Sequence, residues 1–312
     1  MTVESAAVVG TGVIGASWAA AFLARGLDVV ACDPAPGAEA RLRRAVADCW
    51  PTMERVGLAP GASPDRLAFT TDVAQAAGMA DFVQENGPER LADKQRLFEA
   101  LDAAAAPGTV LASSSSGLRP SDVQSACRHH PERVLIGHPF NPPHLIPLVE
   151  VVPGERTSEE AVAAALSFYT GIGKRPIRLR AELPGHVANR LQAALWREAY
   201  SLVERGVATV EDIDTAIAHG PGLRWALLGP FACQHLSGGP GGIAHTLEHL
   251  GPPMEDWWRT LGDPRLTPAL TERIVAGVAD EMDGRDPAVL AAERDELLTL
   301  LLAAKAATTT LR

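Results

Sequence analysis

Residues 6–15 have the sequence AAVVGTGVIG, a short run of β-type apolar residues followed by glycines spaced as GxGxxG. An alanine-rich segment of helical character continues to Arg25, and Gly26 ends it, since glycine favours the position just past a helix. Residues 27–32 form a second apolar run, which stops at Asp33. This order predicts a β-α-β unit with the glycines at the turn from the first strand into the helix.

Each glycine of this turn has a physical role in a dinucleotide site. Gly10 permits the tight turn, Gly12 lets the backbone approach a pyrophosphate, and Gly15 allows the helix to pack closely on the strand. The first helical residues, Val13 and Ile14, present free N–H groups to the anion. The sequence therefore predicts a Rossmann-type nucleotide site near the beginning of the chain.

Asp33 ends the strand that follows the helix, where a carboxylate can accept hydrogen bonds from both adenosine ribose hydroxyls. The same negative charge repels a 2′-phosphate, and no arginine follows before Arg41. These residues favour NAD over NADP as the cofactor. FAD uses the same glycine pattern and stays open as an alternative at this point.

The composition excludes several classes of partner and location. The 312 residues carry a formal net charge of −10, which argues against nucleic-acid or anionic-membrane partners because both attract basic surfaces. Residues 5–24 are uncharged, but Glu4 precedes them and glycines interrupt them, so neither a signal peptide nor a membrane helix is expected. The four cysteines form no CxxC pair. We therefore expect a cytoplasmic protein with reduced cysteines.

Apolar runs and helical segments alternate through the first part of the chain, which predicts a doubly wound, mostly parallel sheet. After Leu183-Pro184-Gly185, apolar residues recur at helical spacing only, and Thr209 with Asp212 forms a capping-box pattern. The predicted class is α/β, with a Rossmann-type NAD-binding domain over residues 1–184 and a smaller all-α domain over residues 185–312. The further predicted strands are residues 67–70, 81–84, 109–112, 134–138, 148–152 and 175–179.

A histidine and a glutamate lie on two consecutive predicted strands. His138 ends one apolar run, and Glu150 stands between valines in the next, which predicts a buried carboxylate. A proline-rich turn joins the two strands and can bring the carboxylate beside the imidazole. There it would fix the ring tautomer and stabilise imidazolium, as the partner of a general base does.

Several motifs occur in the order found in the 3-hydroxyacyl-CoA dehydrogenase superfamily, which the chain resembles along nearly its whole length. The resemblance implies an NAD-dependent dehydrogenase that passes a hydride from a secondary alcohol to nicotinamide. The motifs are ENGPE at 85–89 with Lys94, SSSSGL at 113–118, HPFNP at 138–142, PG at 184–185 with NRL at 189–191, and EDID at 211–214.

The resemblance also implies roles for individual residues. His138 is expected to be the general base that removes the substrate hydroxyl proton, and Glu150 its orienting partner. Ser116 and Asn189 are expected to hold the reacting oxygen. The further cofactor contacts that the family implies are those of Glu89, Lys94, Ser116 and Asn141.

The chain departs from the family pattern at two positions. Ser114 stands where many members carry asparagine, and His186 stands where an aromatic residue often follows Pro-Gly. Neither departure removes a residue that the resemblance implies to be catalytic.

Within the superfamily, several segments resemble members that act on small free β-hydroxy acids. These segments include IPLVE at 146–150, ALWREA at 194–199 and GLRW at 222–225. The resemblance is greatest to the L-carnitine 3-dehydrogenase branch and implies oxidation of L-carnitine to 3-dehydrocarnitine. L-3-Hydroxybutyryl-CoA and other acyl-CoA substrates, L-gulonate and polyketide ketones stay open as alternatives. A non-catalytic, crystallin-like role is disfavoured because the polar residues of the site are intact.

Carnitine has a carboxylate at one end and a trimethylammonium group at the other. Arg224 can bind the carboxylate through two parallel hydrogen bonds. Trp225 and Phe231 belong to an aromatic-rich segment, and aromatic faces attract quaternary ammonium. The same aromatic residues also suit a helical core or a dimer interface. We expect a homodimer through the residues after 185.

His245 and His249 are spaced as two ligands on one helical turn. The sequence between them is not the HExxH pattern, and no third ligand is evident. A solvated helix face accounts for the pair, and no metal site is expected.

Overall fold

The structure is a computed structural model that describes residues 3–311. The chain divides into two compact units, with the division between Arg190 and Leu191. Among the described residues, no helix is both long enough and apolar enough to cross a bilayer.

The first unit is built on one sheet, which has eight strands within the described residues. In chain order they are β1 (Ser5–Val9), β2 (Asp28–Cys32), β3 (Leu67–Thr70), β4 (Phe82–Glu85), β5 (Val110–Ser113), β6 (Val134–Pro139), β7 (Leu148–Pro153) and β8 (Arg175–Arg178). Their spatial order is β3-β2-β1-β4-β5-β6-β7-β8, and all neighbours are parallel except β6 and β7. The order from β3 to β6 is that of doubly wound nucleotide-binding sheets. The predicted α/β class with a mostly parallel sheet is confirmed.

Six helices accompany this sheet in the described part of the first unit. They are α1 (Val13–Ala24), α2 (Ala38–Val56), α3 (Val73–Gly78), α4 (Leu91–Ala104), α5 (Pro120–Gln124) and α6 (Glu159–Gly171). Every residue of α1 from Gly15 to Ala24 is buried, which explains why this segment carries no charge. Its Trp18 and Phe22 stack on each other, and Phe22 also contacts Phe168 of α6. The uncharged run of residues 5–24 is thus a buried strand and helix.

The remaining helices are α7 (Ala188–Glu204), α8 (Val210–His219), α9 (Pro221–Trp225), α10 (Pro230–Ser237), α11 (Gly242–Trp258), α12 (Pro268–Glu281) and α13 (Pro287–Ala307). The predicted capping box is present at the beginning of α8, where the Thr209 side chain accepts from the Asp212 N–H and the Asp212 carboxylate accepts from the Thr209 N–H. The helical character predicted for the end of the chain is confirmed.

Candidate active site

The glycine turn between β1 and α1 leaves space at one position. Gly10 has φ of 87°, and a β-carbon there would lie 2.8 Å from the Asn86 carbonyl carbon. A β-carbon on Gly15 would lie 1.9 Å from the Gly10 oxygen. At Gly12, the N-cap of α1, a β-carbon would meet no atom within 4 Å. The space in front of Gly12 therefore fits the pyrophosphate of a dinucleotide at the helix N-terminus.

Val13 and Ile14 begin α1 beside this space. The first N–H groups of a helix have no intrahelical partner, so they are available to an anion. The Val13 side chain is 77% exposed, which is high for an aliphatic residue at the beginning of a largely buried helix. A cofactor lying across the turn would cover it.

Asp33 follows β2 directly and contacts the glycine turn. Its Oδ2 accepts from the Thr11 N–H and from the Thr11 hydroxyl, each at 2.9 Å, and its Oδ1 accepts from the Ala35 N–H at 2.9 Å. Burial raises the pKa of Asp33, but these hydrogen bonds outweigh it and hold the pKa below its ordinary value. Because a carboxylate offers about four lone-pair sites, roughly one is left for a ribose hydroxyl. Hydrogen bonds from both ribose hydroxyls, as expected from the sequence, would require the Thr11 hydroxyl to release Asp33.

His138 and Glu150 are directly opposite each other in the antiparallel pair of β6 and β7. Side chains opposite each other in such a pair project to the same face of the sheet. The His138 Nδ1 lies 2.8 Å from the Glu150 Oε2, and both side chains are buried. The structure thus brings together the histidine and the glutamate singled out in the sequence.

The second oxygen of the Glu150 carboxylate is bound by backbone. Its Oε1 accepts from the Val187 N–H and the Ala188 N–H, each at 2.9 Å. Burial raises the pKa of Glu150. The hydrogen bonds from His138 and from these two amides lower it by more, so the pKa lies below its ordinary value. Glu150 is therefore ionised at neutral pH and accepts the hydrogen on the His138 Nδ1.

Gly137 precedes His138 and lies against a buried polar pair. A β-carbon at Gly137 would lie 2.0 Å from the Tyr169 hydroxyl oxygen, so only glycine fits. The Tyr169 hydroxyl donates to the Gln84 Oε1 at 2.6 Å, and the Gln84 Nε2 donates to the Gly137 carbonyl at 3.1 Å. These contacts hold the end of β6, and with it the backbone of His138.

Glu89 organises the serine-rich loop after β5. Its Oε1 accepts from the Ser115 hydroxyl at 2.6 Å and from the Ser116 and Gly117 N–H groups at 3.0 Å. Ser116 is exposed, and its hydroxyl has no hydrogen-bond partner among residues 3–311. The Asn189 Nδ2 donates to the Ser116 carbonyl at 3.2 Å. Ser116 and Asn189, predicted to act together, are therefore neighbours.

Lys94 has a different setting from Glu89. Its side chain is buried, and its Nζ donates to both oxygens of Glu85, at 3.0 and 2.9 Å, and to the Gly87 carbonyl at 3.2 Å. These three acceptors match the three N–H groups of an ammonium. The Glu89 Oε2 is further away, at 3.8 Å, and Glu89 stays about half exposed. Lys94 thus supports the segment that carries Glu89, and its direct contact with a ribose stays a prediction.

The proposed substrate residues all belong to the second unit. Arg224 and Trp225 lie on α9 and are exposed, and Phe231 on α10 is 76% exposed. No described residue pairs with the Arg224 guanidinium. Phe231 lines a mostly apolar groove of about 560 Å³, which Arg224 and Trp225 do not line. The roles of these three residues stay predictions. In the first unit, the predicted cofactor contact Asn141 lies two residues after β6 and is exposed.

The paired histidines on α11 have an acidic neighbour. The ligand atoms of His245, Glu248 and His249 all lie within 4.8 Å of one another, and all three side chains are exposed. Glu248 is the third group that the i, i+4 spacing alone does not reveal. Exposed groups of this kind are common on solvated helices, and the expectation of no metal site stays a prediction.

Sequence reasoning missed three residues that organise this region. Thr11 lies inside the GxGxxG pattern but binds Asp33 through its side chain. Glu85 belongs to the ENGPE motif, and its burial at the end of β4 could have indicated a partner for Lys94. In the sequence, His186 is only a departure from the family pattern, yet its Nε2 lies 2.9 Å from the Ser115 carbonyl oxygen.

Comparisons with known proteins place both parts of the chain in one family. Residues 5–182 match the NAD-binding domain of 3-hydroxyacyl-CoA dehydrogenase, and residues 185–276 match the C-terminal domain of the same enzyme. The NAD-binding match decides between the cofactors left open above: NAD is confirmed.

Two curated relatives are similar over almost the whole chain. The L-carnitine dehydrogenase of Streptomyces coelicolor is 54% identical over 293 residues, which cover 94% of this chain and 92% of the relative. The L-carnitine dehydrogenase of Pseudomonas aeruginosa is 49% identical over 302 residues, which cover 97% of this chain and 94% of the relative. These similarities confirm the predicted class of NAD-dependent dehydrogenases acting on a secondary alcohol.

A solved structure shares the fold over the same extent. The crystal structure of 5-formyl-3-hydroxy-2-methylpyridine 4-carboxylic acid 5-dehydrogenase, an NAD+ dependent dismutase, has a TM-score of 0.83 and 29% identity, and the match covers 96% of this chain and 97% of that one. The glycine turn, the paired His138 and Glu150 and the two matched domains lead to one assignment. The chain belongs to the 3-hydroxyacyl-CoA dehydrogenase family.

Proposed function

We propose that this protein oxidises the 3-hydroxyl of L-carnitine to 3-dehydrocarnitine with NAD as the hydride acceptor. The observation that carries the substrate is the similarity to curated L-carnitine dehydrogenases, at 47–54% identity over 94% or more of the chain. The observation that carries the chemistry is the buried hydrogen bond between His138 and Glu150.

His138 is the general base of this proposal. Because ionised Glu150 can only accept, the hydrogen shared with it is on the His138 Nδ1, which leaves the lone pair on Nε2. That nitrogen takes the hydroxyl proton of the substrate. Glu150 then lies beside the resulting imidazolium and stabilises its charge. The chemistry that NAD would supply when bound is acceptance of the hydride from the carbon that carries this hydroxyl.

Ser116 and Asn189 are the proposed ligands of the reacting oxygen. The Ser116 hydroxyl is exposed and has no partner among the described residues, so it can donate to a substrate oxygen. The Asn189 amide already donates one hydrogen to the Ser116 carbonyl and keeps a second N–H. A donor on the oxygen stabilises the negative charge that develops as the proton leaves.

The cofactor would be held by residues of the first unit. The N–H groups of Val13 and Ile14, the open space at Gly12, and Asp33 suit the pyrophosphate and the adenosine ribose. Half-exposed Glu89 suits the second ribose. Asn141 and Lys94 complete the proposed set, Lys94 through its bond with Glu85.

Arg224 is the proposed carboxylate ligand, and Trp225 with Phe231 the proposed site of the trimethylammonium group. Support comes from an exposed guanidinium without an ion-pair partner in the described chain and from two exposed aromatic rings on consecutive helices. Bidentate hydrogen bonding suits the first group and cation–π attraction the second.

A homodimer through the second unit is also proposed. Within residues 191–311 the buried hydrophobic side chains are Val203 and Leu270, while Trp257, Trp258 and Leu297 are each more than 60% exposed. An apolar surface of this extent is unfavourable in water unless another surface covers it. A second copy of the chain is the proposed cover. A cytoplasmic location is proposed because Cys32, Cys127 and Cys233 are thiols rather than members of disulfides.

A substrate panel with NAD reduction as the readout tests the proposal. We expect NADH from L-carnitine and NAD, with kcat/KM at least about tenfold above that for L-gulonate or L-3-hydroxybutyryl-CoA. D-Carnitine is the matched control, since the same groups are present with the hydroxyl and the C3 hydrogen exchanged. Turnover of the acyl-CoA or of gulonate without turnover of L-carnitine would reject the substrate and keep the chemistry.

A further inference from the structure

His186 is the fully buried side chain of the turn at residues 184–189, with 0% exposure. Its φ of 51° lies in the left-handed region, which is uncommon for residues other than glycine, although asparagine, aspartate and histidine adopt it more often than the rest. A residue held in such a conformation within a site is a candidate for a functional role.

The hydrogen-bond partner of His186 defines its tautomer. Its Nε2 lies 2.9 Å from the Ser115 carbonyl oxygen, which can only accept, so the hydrogen is on Nε2. Its Nδ1 is buried and has no hydrogen-bond partner among the described residues. Burial lowers the pKa of His186, so the ring is neutral at pH 7. Because an unpartnered buried acceptor is unfavourable, stability alone does not explain this side chain.

The bond to Ser115 joins two segments of the proposed site. On one side, the Ser115 hydroxyl donates to Glu89. On the other side, Val187 and Ala188 follow His186 directly and donate both of their N–H groups to Glu150. The position of these amides therefore depends on where residue 186 is anchored.

The ring of His186 also lies beside the proposed base. Its centroid is 5.2 Å from that of His138, and the two rings are tilted by 51°. A neutral ring at this distance packs against His138 without adding a second positive charge when His138 takes a proton.

We infer that His186 is a positioning residue, which holds the Val187 and Ala188 amides on Glu150 by donating its Nε2–H to the Ser115 carbonyl. Glu150 in turn holds His138 in the orientation for proton transfer. The inference rests on the proposed role of His138 as the base. It assigns no contact between His186 and the substrate.

Two substitutions separate the hydrogen bond from the backbone conformation. In His186→Gln, the side-chain amide nitrogen reaches about as far as Nε2 and keeps an N–H donor. In His186→Asn, the shorter amide cannot reach Ser115, but asparagine tolerates the left-handed φ at least as well as histidine. Both residues are neutral and polar, so a purely conformational role predicts that the asparagine variant is the more active one.

We expect the opposite order. His186→Asn should lower kcat by about 10- to 100-fold, as misplacement of a catalytic group does, while KM for NAD changes by less than about twofold. His186→Gln should keep kcat within about threefold of the unchanged protein. Wild-type kcat in folded His186→Asn, or equal losses in the two variants, would overturn the inference. If His186→Asn does not fold, His186→Ser replaces it, because its side chain is also too short to donate to the Ser115 carbonyl.

A measurement without turnover separates this inference from the proposed function. A proton shared between imidazole and carboxylate gives a low-field NMR resonance, which His138→Gln should abolish and thereby assign. The resonance should persist in His186→Gln and be lost or shifted in His186→Asn. An unchanged resonance in His186→Asn contradicts the positioning role. If the unchanged protein does not turn over L-carnitine, the proposed function is wrong. The NMR comparison of His186→Gln with His186→Asn still tests the positioning role in that case.

Discussion

The two compact units differ in how many of their apolar side chains are buried. In the first unit, the sheet and its helices bury Trp18, Phe22 and Phe82 completely. Two buried pairs of opposite charge lie there as well, Lys94 with Glu85 and Arg133 with Asp102. The described part of the second unit buries few hydrophobic side chains and exposes many. The first unit therefore completes its own core and contains the proposed catalytic residues, whereas the exposed apolar side chains of the second unit are the basis of the proposed dimer.

The largest expected effect is on the chemistry assigned to the first unit. His138→Ala removes the proposed base and should lower kcat by about 100- to 10,000-fold, because general base catalysis contributes that much. NAD binding should stay within about twofold, since the glycine turn and Asp33 are untouched. Stopped-flow NADH formation measures kcat, and quenching of protein fluorescence by NAD measures NAD binding. Unchanged turnover would assign proton transfer to another group.

The buried ion pair of the first unit should contribute more to stability than an exposed one. Asp102→Asn leaves the Arg133 charge buried without its partner and should lower the free energy of unfolding by about 3–5 kcal/mol. The control is Glu159→Gln, which breaks the exposed pair with Arg178 and should have no measurable effect. Urea unfolding at pH 7 compares them. Equal losses would show that burial does not distinguish the two pairs.

The same carboxylate predicts the direction of a pH effect. Burial raises the pKa of Asp102, but hydrogen bonds from the His129 and His130 N–H groups and from Arg133 hold it below its ordinary value. Its stabilisation is therefore complete above the unfolded pKa of about 3.9 and is lost as the pH falls through the lower folded pKa. Unfolding of Asp102→Asn should depend less on pH in this acid range. Parallel pH curves for the two proteins would contradict this assignment.

The exposed apolar face of the second unit should control association. The double change Leu297→Asp with Leu300→Asp places charges on two side chains of α13 that are 66% and 60% exposed. If a second copy covers them, the dimer dissociation constant should rise by about 100-fold or more, because each change acts twice in a symmetric interface. Sedimentation velocity measures the monomer fraction. The matched control is Glu293→Asp with Glu296→Asp, on the same helix, and equal dissociation of both variants would refute an apolar interface.

The smallest expected effect concerns the choice of cofactor. Asp33→Asn removes the negative charge at the end of β2, and the preference for NAD over NADP should fall by about 10- to 100-fold. Ratios of kcat/KM for the two cofactors measure it. Asp81→Asn is the control, because Asp81 also accepts backbone N–H groups but lies at the opposite end of the strands. An unchanged ratio in Asp33→Asn would remove Asp33 from the ribose site.

Much of the first unit was predictable because its signals are local. The strand at residues 67–70 has the predicted limits, and each of the other strands differs by one residue at one or both ends. The shift at β5 has a consequence, since it places Ser113 in the strand, where its hydroxyl donates to Glu85 at 2.6 Å. Strand ends are hard to predict because they depend on pairing with distant segments. Helix α6 was not predicted individually, although Ser158 caps it.

The second unit was less predictable in detail. Its helical character follows from spacing, and the capping box at Thr209 is a local pattern. Its short helices α9 and α10 each begin with proline, yet which of their faces meet another surface is not a local property. The roles of Arg224, Trp225 and Phe231 rest on that property and stay predictions.

The sequence by itself determined the order of strands and helices, the glycine turn, and the residue types available for catalysis, because these depend on neighbours along the chain. Only the tertiary structure decided which polar groups meet. The register of β6 and β7 sets His138 opposite Glu150, and the Val187 amide reaches the same carboxylate from a distant turn. The two consecutive strands already indicate that His138 and Glu150 lie close together. Their exact register, and the contact of Glu150 with an amide 37 residues away, depend on the tertiary fold and not on a local pattern. They hold the ring on which the proposed proton transfer depends.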